Sequence, residues 1–348
     1  MRILIAGASG GPHLGGSFHR AAAKLGFEAQ LFDINQAWQH GTLYQKLLWH
    51  LGGRRPARMR RFGRQLIELC QQLRPQVLVA TGMSPLSTAV LLACQRLGLR
   101  CVNFSTDDPF SGTHRAAWFF KALRQYDVVF SPRRANLEDL RRHGCRDVAY
   151  LPFGYDPDLF HPPAEPVSPE MESDLFFAGA ADRGRVPFVA AALQSGIKVR
   201  LHGTYWDRYP ETRGASLGQA DIPTLRQAIR GCRVALCVVR HENRDGHAMR
   251  TFEIPAVGAC MVVEDTAEHR AIFGPDGETV CYFRTPQEMV AKTSWLLDHP
   301  AERERLRSAV HARIIRGHNT YADRLQAMIQ EKRQLEELNH GLQGSPSG

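Results

Sequence analysis

The stretch Phe176-Phe177-Ala178-Gly179-Ala180-Ala181-Asp182-Arg183-Gly184-Arg185 decides the fold. An apolar, aromatic run stops at a glycine, a polar turn follows, and a helix-period segment near 187–195 comes next. The same pattern opens the chain. There, Met1-Arg2-Ile3-Leu4-Ile5-Ala6-Gly7 runs into Ala8-Ser9-Gly10-Gly11-Pro12-His13-Leu14-Gly15-Gly16-Ser17. A strand entering a glycine turn twice in one chain predicts two Rossmann-like α/β domains in tandem.

Hydrophobic patterning between these points agrees. Short β-branched runs at 2–6, 28–33, 76–81, 100–105, 127–131 and 147–151 alternate with helix-period segments near 17–25, 42–51, 60–73, 85–97, 114–125 and 133–143. Ser17 reads as the N-cap of the first helix. Residues 161–173 then carry four prolines, which deny a helix. After them the alternation restarts, with strands at 174–179, 197–202, 234–239, 259–264 and 279–283. The helices of this half are expected near 187–195, 223–231, 249–257, 286–297 and 301–316. The expected organisation is an N-terminal domain over 1–153, a linker over 154–173 and a second domain over 174–320. A helix over 321–340 packs back on the first domain, and 341–348 form a tail. In open parallel sheets ligands sit outside the carboxyl ends of the strands, so both domains are expected to face one interdomain cleft.

Composition narrows the function. The 348 residues are 43% hydrophobic and 23% charged, an ordinary globular balance rather than a disordered one. The net charge is +9, divided unevenly. Residues 1–153 hold 21 Lys and Arg against 9 Asp and Glu, and the remainder holds 23 against 26. Only the front half is therefore expected to meet a polyanion. No apolar run approaches the ~20 residues that cross a bilayer, and the N-terminus lacks the pattern of a signal peptide. The eight cysteines form no C-x-x-C pair and mostly sit in apolar runs, which reads as a reduced, cytoplasmic chain.

Three polar stretches carry the chemistry. The turn at Gly179, with Arg183 and Arg185 before a helix, combines backbone N–H groups with guanidinium forks and suits a pyrophosphate. Arginines on a surface turn are also often merely solvated. The stretch from Arg240 to Ala259 follows an apolar strand, and eight of its first fourteen residues are charged or His. It contains Asn243, Asp245, Gly246, His247, Arg250, Thr251 and Glu253. Gly246 precedes a helix start that can face an anion, and Asp245 and Glu253 lie eight apart, where a carboxylate can accept both hydroxyls of a ribose diol. An exposed, salt-bridged helix start is the plain alternative. His241-Glu242 begins like the zinc motif H-E-x-x-H, but its fifth position is Asp245, so no metal is expected. In the front half, Thr106-Asp107-Asp108-Pro109 follows a strand, with His114 nearby. These carboxylates can act as a base, or simply cap a turn. Six arginines (54, 55, 58, 60, 61, 64) form either a solvated face or a surface for anionic lipid headgroups or an anionic acceptor.

On these residues the sequence resembles the group-1-type glycosyltransferases, most closely the branch named for a spore-maturation protein (CgeB-like). The resemblance spans nearly the whole chain. It rests on Thr106-Asp107-Asp108-Pro109, on Leu151-Pro152-Phe153-Gly154-Tyr155-Asp156-Pro157 with Phe160 and Pro162, and on Arg250-Thr251-Phe252-Glu253-Ile254-Pro255-Ala256 with Gly258. His299-Pro300, Arg303 and Tyr321 add to it. It implies a GT-B fold whose second domain holds a nucleoside-diphosphate sugar while the first presents the acceptor. The later of two glutamates eight apart holds the ribose in related family-4 transferases, and Glu253 matches it. The earlier falls on Asp245, a shorter carboxylate. Gly179 with Arg183 or Arg185 resembles the phosphate loop, without its usual arginine-lysine pairing. The run Leu201-His202-Gly203-Thr204-Tyr205-Trp206 follows another strand and is expected to line the nucleobase pocket, through His202, Gly203 and Tyr205.

Metal-independent, retaining sugar transfer to a hydroxyl or amine is the leading expectation, with no cofactor beyond the donor. Asp107, Asp108 and Asp245 are the candidate catalytic carboxylates. Gly15, Gly16, His19 and His114 are expected on the acceptor side. The acceptor is expected to be anionic or lipid-linked, with peripheral contact at the inner membrane face through Arg54–Arg64. A nucleotide-sugar epimerase of the same fold and a non-catalytic scaffold binding membrane or polyanion are the alternatives. Nucleic acid is not an expected partner, because the arginine cluster lacks interleaved aromatics.

Overall fold

The computed structural model describes residues 1–38, 53–112 and 114–330. The helix expected near 42–51, the last part of the 321–340 segment and the tail lie outside the described residues. The chain divides into two compact units, one built from Met1–Pro152 together with the chain from Tyr321, the other from Phe153–Thr320.

In the first unit β1 (Arg2–Gly7), β2 (Glu28–Asp33), β3 (Val77–Thr81), β4 (Arg100–Phe104), β5 (Val128–Ser131) and β6 (Val148–Tyr150) form one parallel sheet. Its order is β2-β1-β3-β4-β5-β6, so the chain reverses direction across the sheet between β1 and β3. Helices α1 (Leu14–Lys24), α2 (Asn35–Trp38), α3 (Met59–Leu73), α4 (Thr88–Arg96), α5 (Ala117–Leu123) and α6 (Leu137–Arg142) connect the strands. Ile3, Leu4, Ile5 and Ala6 are all buried, the continuous apolar run of a strand covered on both faces. In α3 the buried positions Met59, Phe62, Leu66 and Cys70 recur three and four apart, and the arginines between them face outward.

One boundary differs from the reading of the sequence. Helix α1 starts at Leu14, and Ser17 lies buried inside it rather than capping it. A Cβ on Gly15 would stand 2.5 Å from the Ala8 carbonyl oxygen, so glycine lets the helix begin directly against the end of β1. Helix α13 (Tyr321–Ile329) belongs with this unit. Tyr321 meets Phe18 of α1 at 5.4 Å between ring centroids, and buried Arg324 donates from Nε to the Pro152 carbonyl at 2.9 Å.

The second unit repeats the plan. Strands β7 (Ser173–Ala178), β8 (Val199–His202), β9 (Cys232–Cys237), β10 (Met261–Glu264) and β11 (Cys281–Phe283) form a parallel sheet in the order β11-β10-β9-β7-β8. Helices α7 (Val186–Gln194), α8 (Ile222–Gly231), α9 (Arg250–Val257), α10 (Ala267–Phe273), α11 (Pro286–Asp298) and α12 (Pro300–Arg316) link or cover them. Local chemistry sets their starts. Asp221, Thr266 and Thr285 accept the N–H of Thr224, His269 and Glu288 to cap α8, α10 and α11. Leu175, Phe177, Leu201, Val234, Leu236, Val262 and Phe283 make a core with Val189, Leu296 and Leu306. Burying each such side chain contributes roughly 1.5–3 kcal/mol. The switch in strand order falls between β7 and β9, which puts the loops after them side by side.

Residues 154–173, read as the linker, belong to the second unit. Tyr155 N–H donates to Asn319 O at 3.0 Å, Phe160 is buried, and Gly154 leaves no room for a Cβ beside Asn319 O. All eight cysteines are free thiols. No described helix is long and apolar enough to cross a membrane.

Candidate functional site

The loop after β7 is organised by a buried carboxylate. Asp182 Oδ1 accepts the N–H groups of Gly184 and Arg185, each at 3.0 Å. Its Oδ2 lies 3.6 Å from the guanidinium Nε of Arg185 and also of Arg240. Arg185 is only 7% exposed. It donates to Ala180 O and, across the switch point, to Val238 O, both at 3.3 Å. Burial, and then the charge of Arg240, hold its pKa below the usual guanidinium value. Arg185 therefore ties β7's loop to β9, while Arg183 is the exposed cation of the turn.

Beside it, Gly203 approaches Gly179 so closely that a Cβ would stand 1.9 Å from Gly179 O, at a φ of +139° that disfavours other residues. Trp206 Nε1 donates to the same oxygen at 2.9 Å, and Gly179 N–H donates to His202 O at 2.9 Å. The His202 ring is buried, and burial lowers its pKa. Tyr205 is exposed in the left-handed region (φ +71°), with the Arg208 guanidinium 4.0 Å from its ring centroid.

The loop after β9 is held from β10 and α10. Glu264 at the end of β10 accepts the Val239 N–H at 2.9 Å and pairs with His241. Asn243 is buried and donates from Nδ2 to Asp245 Oδ1 at 3.1 Å. Gly246 packs on Glu268, where a Cβ would meet its carboxyl carbon at 2.4 Å. His247 is fully buried between two partners. The Phe153 N–H donates to its Nε2 at 3.1 Å, which places the ring hydrogen on Nδ1, facing Glu268. Thr251 Oγ1 accepts from Ala248 N at 3.0 Å and bonds His269 Nε2 at 3.0 Å. Burial depresses His269 to about 4. The N–H groups of Ala248, Thr251 and Phe252 are thus committed to the chain's own acceptors.

Glu253, one turn into α9, is the chemically open group. It is 1% exposed, and its Oε2 pairs with Arg250. Its other oxygen, Oε1, is buried without a hydrogen-bond partner. Burial pushes its pKa up, Arg250 pulls it down, and Asp156 adds a smaller upward push. Arg250 is 26% exposed, and its guanidinium lies 5.7 Å from the Phe160 ring centroid. A buried carboxylate with one empty acceptor is set up to receive hydrogen-bond donors.

In the first unit Asp108 is buried, and its Oδ1 accepts the Phe110 N–H at 2.9 Å, which makes it part of a turn. Asp107 is the reachable carboxylate of the pair. Its side chain is 40% exposed, with Oδ1 3.8 Å from His114 Nε2. Ser111 Oγ bonds His114 Nδ1 at 3.1 Å. Gly15 and Gly16 are buried in α1, whereas exposed His19 reaches back to Ala29 O at 3.2 Å, beside β2. Sequence reading passed over Asp182, Arg240, Glu264 and Glu268. An acidic residue at or just past the end of a buried strand was the available signal for Asp182 and Glu264; Arg240 and Glu268 had none.

Residues 185–330 match a protein family described as glycosyl transferase-like. Among curated proteins none matches the chain. Among solved structures, sucrose-phosphate synthase from Thermosynechococcus elongatus is 14% identical with a TM-score of 0.65, over 97% of this chain and 99% of that one. The Anabaena protein HepE in complex with UDP-glucose is 13% identical with a TM-score of 0.60, over 98% and 100%. A putative UDP-N-acetylglucosamine 2-epimerase from Listeria monocytogenes is 14% identical with a TM-score of 0.58, over 97% of each. The chain has the two-domain, Rossmann-like GT-B fold, and residues 185–330 carry the match to the glycosyl transferase-like family.

Proposed function

We propose that the chain moves a sugar from a nucleoside-diphosphate sugar to an acceptor hydroxyl or amine, with retention and without a bound metal, in the manner of the CgeB-like branch it resembles. One observation carries the donor assignment. The buried Oε1 of Glu253, empty in a domain that matches glycosyl transferases, is the acceptor that a ribose diol would fill. Arg183 and Arg250 meet the charge that develops on the leaving pyrophosphate, and Asp182 with Arg185 keeps the loop in shape for it. Asp245, steadied by Asn243, stands where a carboxylate orients the donor sugar. Its side chain is one methylene shorter than the family's glutamate.

In the retaining course the departing phosphate takes the acceptor's proton. In an inverting course that proton goes to Asp107 or, through it, to His114. A basic first unit fits an anionic or lipid-linked acceptor at the cytoplasmic face of a membrane. The fold is also that of the epimerase above, so activity must divide the readings. The full chain is incubated with a panel of nucleotide sugars, with and without cell lipid extract. Release of nucleoside diphosphate only with extract supports transfer. Isomerised donor would replace this reading with an epimerase, and no binding of any nucleotide would leave a scaffold.

A further inference from the structure

The six arginines between 54 and 64 do not form one uniform face. Arg54 gives its carbonyl to Trp118 Nε1 at 3.0 Å, and Arg55 Nε reaches Met59 Sδ at 3.5 Å. Arg60 and Arg64 are exposed on α3. Arg58 and Arg61 are exposed as well, but their side chains line a cavity of about 220 Å³ together with Gln36, Phe62 and Gln65. Gln36 sits on α2, just past the carboxyl end of β2, which is the edge of a parallel sheet where ligands bind.

The lining is chemically one-sided. Among the described residues it presents two guanidinium forks, two carboxamides and one ring, and no carboxylate. Asp33, the acid closest in sequence to Gln36, is already held by Ser9 and by the N–H of Asn35. Arg61 makes no ion pair among the described residues. Phe62 is buried and rests against Phe32 at 4.7 Å between centroids. Planar forks match the oxygens of a phosphate bidentately, and carboxamides match hydroxyls. The volume lies below the ~300–1,000 Å³ of a complete small-molecule site, so it holds a fragment rather than a whole ligand.

We propose that this cavity is a phosphate subsite, in which Arg58 and Arg61 grip a phosphate monoester or diester while Gln36 and Gln65 bond a neighbouring hydroxyl. On the glycosyltransfer reading, which this inference deepens, the phosphate belongs to the acceptor. A soluble phosphorylated alcohol and a lipid headgroup present the same chemistry, so the test separates the sources.

Binding of glycerol 3-phosphate and glucose 6-phosphate to the full chain is measured by calorimetry with saturating UDP present, which fills the donor site. Vesicles containing 30% phosphatidylglycerol are tested by flotation in parallel. Arg58→Gln with Arg61→Gln should weaken the soluble phosphates at least tenfold, whereas Arg60→Gln with Arg64→Gln should change them less than twofold. UDP affinity should be the same in all three proteins, which also reports that they fold. Vesicle binding that falls with the first pair more than the second identifies a lipid-borne phosphate in the same cavity. Equal effects of the two pairs on soluble phosphates, vesicle binding that falls equally with both pairs, or no binding of soluble phosphate or vesicle would each overturn the proposal. Failure of UDP to bind wild type would instead defeat the donor reading, and the contrast between the two pairs would still test this cavity.

Discussion

Replacing Glu253 by Gln tests the donor site through two opposite effects. The carboxylate is 1% exposed and leaves Oε1 unpartnered, whereas Arg250 is 26% exposed. The buried charge is thus mainly the carboxylate, and its removal leaves a guanidinium that can turn to water. Glutamine keeps a polar atom at this position but removes the buried charge, and an unmet oxygen costs more when charged than the about 1–3 kcal/mol of a neutral one, part of which Arg250 offsets. The variant should therefore be more stable without ligand by about 1 kcal/mol, or roughly 2–4 °C in the melting of a unit this size. Burial raises the folded pKa, so wild-type stability falls as pH rises through that value and is intact below the unfolded pKa near ~4.3. The gain should accordingly appear at pH 7 and vanish at low pH. With nucleoside diphosphate the order reverses, since a hydrogen bond to a charged group contributes about 1.5–3 kcal/mol and its loss weakens affinity roughly 10- to 150-fold. Thermal shift with and without nucleotide, followed by calorimetry, reads both effects. Unchanged nucleotide affinity would refute the ribose assignment, and a less stable unliganded variant would show that the carboxylate is structural.

Three further outcomes follow from the same geometry. Asp182→Ala strips the counter-charge from buried Arg185, which should destabilise the second unit by about 3–5 kcal/mol in denaturant titration; a loss below 1 kcal/mol would mean that the loop does not depend on it. Gly203→Ala forces a Cβ toward Gly179 O, so nucleotide affinity and melting temperature should fall together, and an unaffected variant would contradict the close approach of the two loops. His269 has a folded pKa of about 4 against ~6.5 unfolded, so its contribution is complete above the unfolded value and is lost as pH falls from 6.5 to 4. It amounts to roughly 3 kcal/mol, and in urea titrations His269→Asn should flatten the fall in stability between pH 6.5 and 4 relative to wild type.

Alternation of strands and helices was legible in the sequence because it depends on neighbours one to four residues away. The run Leu4-Ile5-Ala6 and the stripe Phe62, Leu66, Cys70 declare their periods without any tertiary information. The switch-point loops were legible too, since a parallel sheet puts its polar loops at the carboxyl ends. Residue fates inside those loops were not. Arg183 and Arg185 are two positions apart and alike in chemistry. One is exposed and the other is 7% exposed, because only the second points at Asp182 and the Val238 carbonyl across the sheet. Asp107 and Asp108 part in the same way, one reachable and one committed to a turn.

The sequence by itself determined two α/β units, the edge of each sheet where ligands gather, and a front half with excess positive charge. All three follow from local periodicity and composition. Tertiary structure decided which charges stay available. Glu253 keeps an empty oxygen because α9 packs it against Arg250 and away from any other donor. Arg58 and Arg61 line the cavity beside α2 and α3, whereas Arg60 and Arg64 do not. A charged side chain's role depends on what the fold brings within about 4 Å of it, and that distance is not written along the chain.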